Sequence, residues 1–209
     1  MRRNAIVTVA VVIALLALGS QIAIPAYVSS KVEDRLTEKG GSAHVEVHAF
    51  PAARLIGGNG DRIEISGKGL KFDLPTQNNA DVFDKLDGFD EVDAQLTDVQ
   101  TGPFRIAQFG LKRGEGERNY RLTMQASSTP NEIGQYAGGQ IGGPLGDFMS
   151  KFAGSGILPF TNDPIPVTID ARVHSNSGRA EVVSASGDVA GLSAGPLAAT
   201  LASAVADRL

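Results

Sequence analysis

His44, Glu46 and His48 alternate along one short stretch, and imidazoles and carboxylates are common ligands of transition metals. In an extended strand all three share a face, but the two histidines then stand about 13 Å apart. That span is too long for one ion, and His44 with Glu46 offers two ligands where a closed zinc site needs four. No metal is expected there. The run Gly57-Gly58-Asn59-Gly60-Asp61 is similar to a calcium-binding repeat, yet it occurs once and its aspartate falls one position early, so it reads as a turn. His174 is the remaining histidine, and it precedes the turn signature Asn176-Ser177-Gly178, where an exposed histidine is the plain expectation. The chain carries no phosphate loop. It has no cysteine, which excludes disulfides, thiolate nucleophiles and cysteine-based zinc sites. No catalytic residue is assigned, no cofactor is expected, and the chain reads as a non-enzymatic protein, with an envelope lipid hydrolase as the alternative.

The elements that carry these residues follow from composition and periodicity. The 209 residues suit one domain, and 20% charged with 42% hydrophobic residues is the balance of a globular chain and not of a disordered one. Twenty-five glycines and no tryptophan favour short elements joined by turns over a helical bundle. A net charge of −4 with scattered Lys and Arg leaves no electrostatic footprint for nucleic acid.

The N-terminus has a different character. Arg2 and Arg3 precede an uncharged stretch from Asn4 to Ser30, most apolar between Ala5 and Leu18. Positive charge before an apolar run holds that end in the cytoplasm and sends the rest outward. Residues 1–29 are therefore an export segment, read either as a signal peptide cleaved near Ala17-Leu18-Gly19 or as an uncleaved transmembrane anchor extended through Ile22, Ile24 and Tyr27. Residues 30–209 form a single domain on the outer face of the cytoplasmic membrane.

Val28, Val32 and Leu36 recur every four residues among charges, an amphipathic helix ended by Gly40-Gly41. Alternation predicts strands at His44–His48, Arg62–Ser66, Val92–Val99, Phe104–Lys112, Asn119–Gln125, Ile165–Val173 and Arg179–Ser186. A short helical turn is expected after Phe50-Pro51, hairpin loops at Gly114–Glu117 and Asn176–Gly178, and a capping box at Thr129-Pro130-Asn131-Glu132 opening a helix towards Phe152. Pro196 opens a last helix through Leu197, Leu201, Val205 and Leu209. The fold class is α+β: a curved antiparallel sheet wrapped around or covered by amphipathic helices, after the N-terminal helix. Such a sheet can leave an apolar cleft, for which Phe104, Phe109, Leu111, Phe148, Phe152, Ile157, Leu158 and Phe160 are the lining material. The same residues equally suit a filled core.

The string Phe50-Pro51, Leu55-Ile56-Gly57-Gly58, Asp61-Arg62-Ile63-Glu64-Ile65, Gly69-Leu70 resembles the opening signature of the actinobacterial LmeA-like phospholipid-binding proteins. Ala126 to Pro130 and Gly191-Leu192-Ser193 with the closing helix resemble two later parts of that family. The resemblance implies a TULIP-like fold, an envelope location, and a phospholipid held by its acyl chains in an apolar groove, in lipid transfer or in support of envelope glycolipid assembly. It marks Phe50, Pro51, Leu55, Gly57 and Gly58 as the family motif. The alternative is a non-enzymatic envelope scaffold with a solid core.

Overall fold

The computed structural model describes residues 2–73, 83–129, 131–132, 163–186, 188–189 and 192–193, of which 2–18, 179–180, 188–189 and 192–193 are described as backbone alone. The first element, α1, is one helix of 36 residues, Arg2–Thr37. Its second half belongs to the fold: Val32 and Leu36 are buried and Ile24 and Val28 pack beside them, a stripe every fourth residue. The chain stops being helical at Thr37, and Gly40 and Gly41 follow at φ 108° and 91°, left-handed values natural to glycine. Among the described residues no helix is long and apolar enough to cross a membrane. The side chains of the apolar run Ala5 to Leu18 lie outside them.

Eight strands form one open, curled sheet. They are β1 (Ser42–His48), β2 (Gly60–Lys68), β3 (Lys71–Phe72), β4 (Phe89–Thr101), β5 (Phe104–Arg113), β6 (Asn119–Ser128), β7 (Ile165–Asn176) and β8 (Arg179–Ser186), in the order β1-β2-β4-β5-β6-β7-β8 with β3 beside β4. Two-residue strands β9 (Asp188–Val189) and β10 (Leu192–Ser193) pair separately. The sheet is mostly antiparallel, which corrects the expectation of a wholly antiparallel one: β2 and β3 each run parallel to β4. β4 starts at Phe89 opposite Gly60, at the same end of the sheet as β2, as parallel pairing requires. Alternation had fixed which face each side chain takes, and that face is independent of strand direction.

A 3-10 turn, Ala52–Gly57, joins β1 to β2, and a four-residue helix, α2 (Asp84–Asp87), precedes β4. The β1 edge is covered by α1, which runs antiparallel to it. Glu33 Oε1 accepts the Val45 N–H at 2.7 Å, and Gln21 Oε1 accepts that of Ala52 at 2.9 Å. Moving up the helix thus corresponds to moving back along the strand, and an exposed edge is capped. The helix is already part of the fold at Gln21, without a break at residues 29–30. The expected capping box forms: Thr129 and Glu132 exchange hydrogen bonds of 2.9–3.2 Å, and these hold the Glu132 carboxyl below its ordinary range. The helices expected at Pro130–Phe152 and Pro196–Leu209 lie outside the described residues, apart from the helical pair Asn131–Glu132.

Candidate functional site

The inner face of the sheet is buried and apolar across β1 to β7, with Arg113 the charged side chain at one end of it. One row of cross-strand neighbours reads Val45, Ile65, Ala94, Leu111, Leu122, Ala171, and a second reads Leu96, Phe109, Met124, Ile169. None of these residues is more than 3% exposed. Of the expected groove residues, Phe104, Phe109 and Leu111 lie in this single core cluster. Phe148, Phe152, Ile157, Leu158 and Phe160 lie outside the described residues.

The outer face is polar and divided by charge. The row Glu46, Glu64, Asp93, Lys112, Arg121, Arg172 is acidic on β1, β2 and β4 and basic on β5, β6 and β7. Two open cavities sit on it. One, of about 200 Å³, is lined by acidic residues with His44; the other, of about 230 Å³, gathers Arg118, Arg121 and Arg172 with Glu117. Neither is lined by an expected groove residue. His44 lies 3.3 Å from Glu33 and 3.2 Å from Glu46, and His48 lies 3.8 Å from Glu46. These are polar neighbours along an exposed strand and on the helix beside it, and no group of three or more ligands able to hold a metal occurs among the described residues. His174 Nδ1 is 3.2 Å from the Arg118 carbonyl, which can only accept, so this nitrogen donates.

No family model matches the chain, and no curated protein and no solved structure matches it. Nothing in those comparisons bears on the LmeA-like resemblance, so function rests on the geometry of this chain.

That geometry concentrates at one end of the sheet, where β1, β5 and β7 finish and β2, β4 and β6 begin. At one corner lies the Ala52–Gly57 turn. Ala52 and Leu55 are buried under it, while Phe50 and Ile56 are each 79% exposed. Asp61 accepts from the Phe50 N–H at 2.7 Å and from the Arg54 guanidinium, whose other arm reaches Asp90 at 3.6 Å. Of the residues that carry the resemblance, Leu55 is a core plug, Phe50, Pro51 and Gly57 face out, and Gly58 closes the turn at φ 74°. The Phe50–Pro51 peptide is cis.

The adjacent corner is α2. Gly60 N–H donates to the Gly88 carbonyl at 3.0 Å, and a Cβ on Gly88 would fall 1.9 Å from the Gly58 carbonyl oxygen. Only glycine lets the two corners meet this closely. Beyond it, Arg113 sits on the inner face in register with Val92 and is buried. Its guanidinium donates to Asp87 Oδ1 at 3.0 Å, Tyr120 Oη at 2.7 Å, the Leu86 carbonyl at 3.1 Å and the Phe89 carbonyl. It also stacks 4.6 Å from the centre of the Tyr120 ring, which meets Phe83 edge-on at 5.0 Å. Tyr120 donates to Asp87 at 2.7 Å, and Ser175 donates to the same carboxylate. Burial, together with the Asp87 hydrogen bond, pushes the Tyr120 phenol well above its ordinary range. The cluster ties α2 to the ends of β5, β6 and β7. Its sequence signal was a charge at an inward position of an alternating strand, and it passed unread.

Gly191-Leu192-Ser193-Ala194-Gly195 also has the Gly-x-Ser-x-Gly spacing of a hydrolase nucleophile. Ser193 lies in β10, in register with Asp188 of β9 and not in the parallel sheet from which a nucleophile elbow rises. No catalytic role is assigned to it.

Proposed function

We propose that this protein is a membrane-tethered, lipid-binding domain of the cell envelope, held on the outer face of the cytoplasmic membrane, whose curled sheet takes acyl chains against its inner face. The observation that carries this reading is the apolar inner face itself, continuous across β1 to β7 and bordered at one end by the helix whose upstream half is the apolar run Ala5 to Leu18. An acyl chain withdrawn from water there gains about 0.8 kcal/mol per methylene, so ten methylenes supply roughly 8 kcal/mol. The resemblance of the Phe50 to Leu70 string to the LmeA-like proteins, with the TULIP-like fold that it implies, points the same way. The uncharged stretch from Asn4 onward, set behind Arg2 and Arg3, supports a tether with its N-terminus in the cytoplasm. The ligand is a phospholipid or a related envelope lipid.

A second reading has its own observation. Inner-face side chains at 0–3% exposure, with both described cavities polar and on the opposite face, suit a scaffold module with a solid core. Native mass spectrometry of the purified full-length chain separates the two. Lipid binding predicts about one phospholipid per chain surviving detergent exchange, or taken up when added. A chain that stays ligand-free under both conditions supports the scaffold.

A further inference from the structure

Five large hydrophobic side chains are exposed among the described residues, and four of them, Ile22, Tyr27, Phe50 and Ile56, belong to α1 or to the turn docked on it. Scattered exposed apolar residues need no explanation, but Ile22, Phe50 and Ile56 are grouped at one end of the sheet, with Tyr27 further along the same helix. Nor is the turn loose. Its backbone is fixed by Gln21, by Asp61, and by internal bonds from Gly58 to Leu55 at 3.0 Å and from Asn59 to Arg54 at 3.1 Å. Ala52 and Leu55 lock one side into the core while Phe50 and Ile56 stand away from it. A segment built this firmly, with its large apolar side chains outside, presents them to something else.

We infer that the Phe50–Gly58 turn is a second membrane contact, inserting Phe50 and Ile56, beside Ile22, into the headgroup boundary of the bilayer that takes the apolar run of α1. The inference rests on the tether reading above. Position argues for a bilayer as the occupant. Because α1 runs antiparallel to β1, its upstream residues leave the fold at the end where the turn sits. Ile22 stands four residues beyond Leu18, about 6 Å along the axis. The polar layer of a bilayer is about 5–7 Å deep on each side of its hydrocarbon core. If Ala5 to Leu18 enters that core, Ile22 and the turn held by Gln21 lie at headgroup depth. Charge is not the attraction, since the one guanidinium of the turn, Arg54, is matched by Asp61 and Asp90.

The absence of cysteine allows a clean test in the full-length chain. Phe50→Cys, Ile56→Cys and, as a control at an exposed position of β5, Gln108→Cys are each labelled with an environment-sensitive fluorophore. The labelled chains are reconstituted into phosphatidylcholine vesicles with and without headgroup-proximal nitroxide lipids. Insertion predicts blue-shifted emission at 50 and 56, quenched at least threefold more by the nitroxide than at 108, and unchanged in high salt. Flotation of the vesicles reports the tether separately. Vesicles that float with chain bound but with probes 50 and 56 in water overturn the second contact and leave the tether standing. Chain that does not float overturns both. A blue shift that grows with protein concentration in the absence of lipid overturns the proposal in favour of self-association.

Discussion

Two corners of one sheet end break the usual partition of residues in opposite senses. At the Ala52–Gly57 turn, apolar side chains stand in water; at α2, an arginine is drawn inside. Both arrangements are held by hydrogen bonds, yet only one is complete in itself. Arg113 finds a carboxylate, a phenol and two carbonyls within the chain, and an internally satisfied charge is a structural device. Phe50 and Ile56 remain 79% exposed, and no side chain among the described residues covers them. The contrast separates residues that fix the fold from residues that point beyond it.

The strongest way to break the contrast is Arg113→Ala. Removing it takes the donor from the Leu86 and Phe89 carbonyls and leaves Asp87 without its cation, and the loss is expected near 3 kcal/mol by urea denaturation. A loss below about 1 kcal/mol would show that the cluster is not a latch. Gly88→Ala comes next, at roughly 2 kcal/mol, because the new methyl meets the Gly58 carbonyl and pushes the corners apart. Smaller still is Tyr120→Phe, at about 1 kcal/mol near neutral pH. Its sign with pH is fixed by the raised phenol pKa: the stabilising contribution is whole below the ordinary tyrosine range and fades as pH climbs above about 10. The variant therefore unfolds with a flatter alkaline limb than the parent. Least of all, Phe50→Ser with Ile56→Ser is expected to shift stability in water by no more than about 0.5 kcal/mol. A loss of several kcal/mol would move these side chains into the fold and erase the comparison.

Much of this architecture was legible in the residues. Alternation located the main strands, glycine and asparagine marked the hairpins, and Thr129 with Glu132 announced a cap that the structure closes atom by atom. What stayed hidden depends on partners, which a local pattern does not name. Val92 to Val99 reads the same whether its neighbour β2 runs parallel or antiparallel. Arg113 ends a strand whose alternation slips once, at Ala107 and Gln108, and only the approach of α2 shows why a guanidinium belongs at its inward end. Phe50 and Leu55 look alike as apolar residues near a turn; the docking of α1 buries the second and leaves the first outside.

The central claim concerns the inner face of the sheet, and photocrosslinking reaches it directly. A phosphatidylcholine bearing a diazirine at mid-chain, incubated with the full-length protein in vesicles and irradiated, should leave adducts on inner-face residues such as Phe109, Leu111, Leu122 and Met124. Adducts confined to residues 5–24 and 50–58 would mean that this protein touches lipid only as a membrane and carries none within its sheet.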